Sequence, residues 1–125
     1  MATPANNNPL ALRPYYAGIV TLTGTAQSIL ALIQSVYTAG NNEQVPPNMT
    51  CAQLNLKADS GNSTNNCLIG DEKVSTSRYG NQLTSAAADR ALVYGPFTMN
   101  TIELSNIYAI ASAGSPKLMI EVIQC

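Results

Sequence analysis

The chain has no tryptophan and no histidine, a single phenylalanine, and charged residues at only 10% of its positions. Each shortage closes off a class of function. Without histidine, no side chain has an ordinary pKa suited to moving protons near neutral pH. Zinc sites want four Cys or His ligands, mostly in close pairs. Three cysteines, Cys51, Cys67 and Cys125, with no CxxC spacing, do not supply one. Basic residues are scattered at Arg13, Lys57, Lys73, Arg78, Arg90 and Lys117, and the formal net charge is −1. A nucleic-acid partner needs clustered Lys and Arg to neutralise phosphates, so none is expected. No apolar run approaches the ~20 residues that cross a bilayer, and no basic stretch leads into an apolar one at the N-terminus. Neither a membrane partner nor a secretory route is expected. The glycosylation sequons at Asn48 (NMT) and Asn62 (NST) then have no use and read as coincidence in an Asn-rich chain. The cysteines read as reduced thiols, at least one of them buried; Cys51 and Cys67 could pair, which would leave Cys125 over.

What is present is an apolar content of 46% spread over 125 residues. That length suits one domain, in which folding hides roughly two-thirds of the extended-chain surface. A surface rich in Asn, Ser, Thr and Ala with little charge has little self-repulsion, and so tolerates close packing among copies.

Residues 1–14, MATPANNNPLALRP, read as an extended N-terminal arm, because three prolines remove donors and no hydrophobic period is present. Two fates fit it: a frayed terminus, or a strap that orders against a neighbouring subunit with Pro9, Leu10 and Leu12 as anchors. A single domain is expected over 15–125. AGIVTLTGT, 17–25, is β-branched and reads as a first strand. The period then changes: Ile29, Leu30, Ile33, Val36 and Tyr37 share a helical face, Thr25 can cap it and Gly40 can stop it. One short helix is therefore expected at about 26–38, covering an open end or edge of a sheet. CAQLNLKAD, 51–59, alternates, with Ala52, Leu54, Leu56 and Ala58 inward. CLIG and ALVYG read as short strands. TIELSNIYAIASAG and KLMIEVIQC are the most strand-like segments, and the turn at Gly114-Ser115-Pro116 suggests that they form a C-terminal hairpin. Roughly seven or eight short strands with turn signals between them predict a mainly β chain, an antiparallel β-sandwich or jelly-roll-like fold carrying that helix.

Chemistry-bearing motifs are sparse. Glu43, Asp59, Asp71, Glu72, Asp89, Glu103 and Glu121 are dispersed, and neither GxSxG, a P-loop nor GxGxxG occurs. DSGNSTN, from Asp59, resembles a calcium loop in oxygen content alone. It lacks Asp or Asn at the third position, and Gly70 stands where the twelfth-position Glu is needed. No enzymatic activity, metal or cofactor is expected. The densest polar stretch is LIGDEKVSTSRYGNQLTS, 68–85. A phosphate cradle would need Gly-rich backbone entering a helix, and the hydroxyl-rich, β-branched sequence here has no helical period. It reads as a corner between strands: Asp71 accepts from its own turn, Val74 tucks inward, Gly80 turns the chain and Leu83 re-enters the core.

Leu68, Gly70, Asp71, Val74, Ser75, Gly80 and Leu83, followed by Leu104, Ile107, Tyr108, Ala111, Ser112 and Val122, form an ordered combination that resembles a pattern in small virion proteins of tailed bacteriophages. The resemblance implies a compact β-sandwich that decorates or cements a capsid, or serves as a module on fibres and adaptors. It implies the major capsid protein and further copies of itself (dimer or trimer) as partners, the virion surface as location, and assembly in the bacterial host cytoplasm. Tyr15, Tyr16, Tyr79 and Tyr94 are candidate interface anchors, because tyrosine buries a broad face and keeps a polar tip satisfied. Asp71 and Arg78 of the corner are further interface candidates. A tail, neck or fibre component is the near alternative. A carbohydrate-binding or hydrolytic β-sandwich module is a further one, weighed against by the missing Trp.

Overall fold

The computed structural model describes residues 14–41, 50–99 and 101–123, with side chains described for 17–35, 50–99 and 101–123. The predicted arm therefore lies outside the described residues, apart from Pro14. The described chain is mainly β, with antiparallel sheets and one α-helix. In chain order the elements are β1 (Pro14–Thr21), β2 (Gln27–Ser28), α1 (Ile29–Asn41), β3 (Thr50–Cys51), β4 (Gln53–Ala58), β5 (Cys67–Gly70), β6 (Asn81–Leu83), β7 (Ala91–Tyr94), β8 (Ile102–Glu103), β9 (Tyr108–Ala111) and β10 (Lys117–Ile123). Short 3₁₀ turns sit at Ser60–Asn62, Ala87–Asp89 and Leu104–Asn106.

A first four-stranded sheet has the order β1-β10-β4-β7, a second the order β2-β9-β5-β6, and β3 pairs with β8 apart from both. Alternation along the first sheet sorts side chains by face, because successive residues of a strand point to opposite sides. Leu54, Leu56 and Ala58 of β4 are buried, as the sequence pattern predicted, and so are Leu118, Ile120 and Val122 of β10. They meet Val20 from β1, Cys67 and Ile69 from β5, Leu83 from β6, and Ala109 and Ala111 from β9 in a single hydrophobic cluster. Both sheets thus contribute to one core. Ile29, Leu30, Leu32 and Ile33 of α1 enter the same cluster, which is how the helix buries its apolar stripe.

The C-terminal hairpin does not form. β9 pairs with β2 and β5, whereas β10 pairs with β1 and β4. The Gly114-Ser115-Pro116 segment carries the chain from one sheet to the other. Both strands put buried residues into the one cluster, which does not require them to be neighbours in a sheet. The crossing is fixed by backbone bonds: Ser112 N–H donates to the Asn66 carbonyl at 2.9 Å, and Leu22 N–H to the Pro116 carbonyl at 2.9 Å. Gly114 takes the left-handed φ of +61° that the turn requires, a conformation that L side chains resist.

Helix boundaries also differ from the expected 26–38. Gln27 and Ser28 are held in β2 opposite Ala109 and Tyr108, so the helix begins only at Ile29. Its cap is Ser28, whose Oγ accepts from Ala31 N–H at 3.1 Å; Thr25 instead donates its N–H to Thr23 Oγ1. Gly40 lies inside the helix, one residue before its end. The first strand starts at Pro14 rather than 17, and a bulge falls between Pro14 and Tyr16. The 51–59 segment is split at buried Ala52 into β3 and β4. TIELSNIYAIASAG is interrupted by the 3₁₀ turn at Leu104–Asn106 between β8 and β9.

Candidate functional site

The polar corner after β5 is bonded within itself. Asp71 opens it: its Oδ1 accepts from Lys73 N–H at 2.9 Å, and Val74 N–H donates to the Asp71 carbonyl at 2.9 Å. Seven residues on, Arg78 grips the same carboxylate through both terminal guanidinium nitrogens, with Nη2 to Oδ2 at 2.9 Å. The Arg78 hydrogen bonds, helped by the Lys73 N–H, hold the Asp71 carboxyl below its usual range, and Asp71 raises the guanidinium in turn. Ser75 and Arg78 exchange backbone bonds, and Gly80 N–H returns to the Ile69 carbonyl at 2.8 Å.

This bonding aims Val74. It is buried with Leu68 and Ile110 in a second, smaller cluster flanked by Ala26 and Tyr108. Leu68 and Ile110 alternate along β5 and β9 with the residues that face the main core. The corner therefore folds over the outer face of the second sheet and covers Leu68 and Ile110 there. Val74 does tuck inward, but into this satellite cluster instead of the main core. A Cβ on Gly70 would stand 2.9 Å from Val74 Cγ2, which explains a residue without a side chain at the start of the fold-over.

Two open concavities flank Asp71. One, about 350 Å³, is lined by Gly70, Asp71, Arg78, Tyr79 and Gly80; the other, about 270 Å³, by Asp71, Glu72, Ser105, Asn106 and Tyr108. The charged groups between them already satisfy each other, and the Asp71 carboxylate opposes an incoming anion. Neither concavity has the converging unsatisfied donors that would mark a ligand site.

The first sheet is different on its outer face. Cross-strand register sets Ile19 beside Met119, Lys57 and Ala91 in one row, and Ala17 beside Glu121, Asn55 and Val93 in the next. Ile19, Met119 and Val93 are large apolar side chains left exposed, as are Phe97 and Met99 just past β7. Polar neighbours are fixed among themselves: Gln53 Nε2 donates to Asn55 Oδ1 at 3.0 Å, and Asn55 Nδ2 to Glu121 Oε1 at 2.9 Å. A shallow concavity of about 260 Å³ runs between Ile19, Met119, Lys57 and Glu121. No described segment lies over this face as the corner lies over the other sheet.

The predicted anchors divide accordingly. Tyr79 is exposed beside the corner. Tyr94 packs against the main core, half-buried, and that burial raises its pKa; it sits on the inward row with Leu54. Asp71 and Arg78 pair with one another. Tyr15 and Tyr16 lie in β1 with their side chains outside the described residues, and Pro9, Leu10 and Leu12 fall outside them altogether. The exposed Ile19, Met119 and Val93 of that face were missed from sequence. Their signal was the apolar residues on the nominally outward positions of otherwise alternating strands.

Asn62 is a residue whose importance the sequence hid. It is the buried polar side chain of the described core, 7% exposed. Its Nδ2 donates to the Lys117 carbonyl at 2.9 Å, and its Oδ1 accepts from Lys117 N–H at 2.8 Å. The side-chain amide thus substitutes for a strand backbone and stitches the turn after β4 to the first residue of β10. An amide so engaged is closed to glycosylation in the folded chain. Asp59, first residue of the calcium-like stretch, caps the same turn by accepting from Gly61 N–H.

Cys51 and Cys67 are both buried, and no disulfide joins them to each other. Burial pushes the Cys67 thiol up to about 12, so it stays protonated and poorly nucleophilic. Among the described residues, no group of three or more Cys, Asp or Glu side chains is placed to hold a metal ion, and no helix is long and apolar enough to cross a membrane. Comparison with family models, with curated proteins and with solved structures returns no match for this chain.

Proposed function

We propose that this chain is a structural protein of a tailed-bacteriophage virion, a β-sandwich that decorates or cements the head by binding the major capsid protein. Its mechanism is adhesion. The observation that carries the reading is the asymmetry between the two sheets: the chain covers Leu68 and Ile110 on the outer face of the second with its own corner and leaves Ile19, Met119 and Val93 exposed on the first. Apolar side chains held on a stiff sheet, framed by a bonded polar row, are the makings of an interface core with a polar rim. Phe97 and Met99, just past β7, are further exposed apolar side chains. A specific contact needs upwards of ~1,000 Å² of buried surface. Repetition over a lattice lets individually weak contacts hold firmly. The ordered resemblance running from Leu68 to Val122 supplies the choice of particle.

The test is reconstitution. Heads stripped of the protein are incubated with purified chain, pelleted and quantified for bound copies. Occupancy comparable with that of the major capsid protein, reduced at least tenfold by Val93→Lys, supports the reading. A few copies per particle, located at one vertex by negative-stain imaging, would move the protein to the neck or tail. Binding to polysaccharide without any binding to heads would replace a structural role with a carbohydrate-binding one.

A further inference from the structure

The backbone register identifies which hydrogen-bonding groups of the first sheet have no partner. In an antiparallel pair, alternate residues exchange both bonds with the neighbour and the intervening ones point away. Leu22 N–H donates to the Pro116 carbonyl, and this sets the phase along β1. Val20 and Gly18, opposite Leu118 and Ile120, bond to β10. The opposite set on β10 serves β4, as Asp59 N–H donating to the Lys117 carbonyl shows. Ala17, Ile19 and Thr21 consequently aim their N–H and C=O groups out of the sheet edge. Ala17 and Thr21 are exposed and Ile19 is 51% exposed, so no other described segment covers that edge.

Edges of this kind are usually guarded by charge, proline, a bulge or brevity. The other sheet edges are short: β7 has 4 residues, β6 has 3 and β2 has 2. β1 has 8 residues, PYYAGIVT, with no charged side chain. Its proline and bulge lie at its first residues, leaving Ala17–Thr21 unguarded.

We propose that this edge is a self-association surface, on which two copies join β1 to β1 antiparallel about a two-fold axis through Ile19, making one continuous sheet twice as wide. A second copy fits the edge for reasons of symmetry and charge. Rotation about Ile19 sets Ile19 against Ile19 and Ala17 against Thr21, so every outward N–H meets an outward C=O. No like charges are brought opposite each other, and a net charge of −1 per chain gives little long-range repulsion. Ile19 and Met119 of each copy then line one apolar strip across the join. Where it names the partner of the structural role, the inference rests on that role; solution dimerisation is nevertheless measured separately from head binding, so either can fail alone.

The experiment is sedimentation equilibrium on the full chain from about 1 to 200 µM, the range in which a small interface of this kind dissociates, paired with amide exchange at the same concentrations. Expected is a monomer–dimer equilibrium in which the Ala17, Ile19 and Thr21 amides gain protection as concentration rises. Ile19→Lys, which sets two ammonium groups side by side at the axis, should weaken dimerisation at least tenfold. Val93→Lys serves as the control: at 53% exposure it is on the same face but on the opposite edge, and it should leave the equilibrium unchanged. Circular dichroism melts establish that both variants fold. Three results overturn the proposal: a monomer throughout the range, dimerisation untouched by Ile19→Lys in a folded variant, or protection appearing on β7 in place of β1. A dimer that fails to bind heads leaves the proposal intact and removes the capsid role.

Discussion

Replacing Asn62 with alanine tests the view that one side-chain amide holds the β4–β5 turn to the last strand. The substitution deletes the bond from Nδ2 to the Lys117 carbonyl at 2.9 Å and the bond from Lys117 N–H to Oδ1 at 2.8 Å. The two losses are unequal. The Lys117 carbonyl keeps the Asp59 N–H at 3.1 Å, whereas Lys117 N–H loses its acceptor in a part-buried site. A neutral hydrogen bond contributes a net ~0.5–1.5 kcal/mol, and a stranded buried donor costs ~1–3 kcal/mol. Together they predict a loss of about 2–4 kcal/mol, a sizeable share of the ~5–15 kcal/mol that holds a typical domain. Urea unfolding of both proteins, followed by circular dichroism, should show a lower midpoint at an unchanged m-value. Asn62→Asp sharpens the test. A carboxylate still accepts from Lys117 N–H but sets negative charge against the Lys117 carbonyl; a protonated carboxyl can donate there, as the amide does. The introduced group's folded pKa should therefore lie above its unfolded value of about 3.9. By linkage its deficit relative to wild type is smallest below about pH 3.9 and grows as pH rises through the folded pKa. A midpoint loss under about 0.5 kcal/mol for Asn62→Ala, or a pH-independent deficit for Asn62→Asp, would refute the reasoning, since surface substitutions of no consequence fall within that margin.

Gly95 has φ +87°, and a Cβ there would run into the Ala52 carbonyl oxygen, which accepts from Phe97 N–H; Gly95→Ala should cost at least ~1–3 kcal/mol in the same urea assay, and a neutral result would mean that the turn relaxes. Cys67, with its thiol raised by burial to about 12, should resist iodoacetamide in native buffer and react in step with urea unfolding, as read by peptide mass spectrometry. Native labelling as fast as a free thiol would contradict its burial. Asp71 is held low by Arg78, so its carboxyl carbon should titrate by NMR below the ordinary carboxylate value, and Arg78→Ala should move that midpoint up towards it. Its depressed pKa gives a stability contribution present above the unfolded value and lost as pH falls through the folded one. Both partners are exposed, so that contribution should be small and fade with salt.

The alternating strands were legible because burial enforces a period of two. Leu54 and Leu56 are assigned correctly from sequence, since no other register hides both. The corner was legible as a corner, with Asp71 bonded to its own turn. The destination of Val74 was not: an inward-pointing residue can enter either of two clusters, and only the path of the chain over Leu68 and Ile110 decides which. Thr25 and Ser28 both satisfy a helix-cap preference, and the pairing of β2 with β9 chooses between them. Asn62 looked like a turn residue in a sequon because its partner, Lys117, is remote in sequence.

The sequence alone determined which residues of the alternating strand β4 face away from water, that a polar corner follows β5, and that no histidine is present for proton transfer. Those properties follow from side-chain chemistry and local backbone preference, which neighbouring residues fix between them. Only the tertiary structure decided that β9 and β10 belong to different sheets, that the corner covers Leu68 and Ile110 while Ile19, Met119 and Val93 stay exposed, and that Ala17, Ile19 and Thr21 point their backbone groups outward. Those are facts of pairing between distant segments, and a periodic pattern specifies a face without naming the strand beside it.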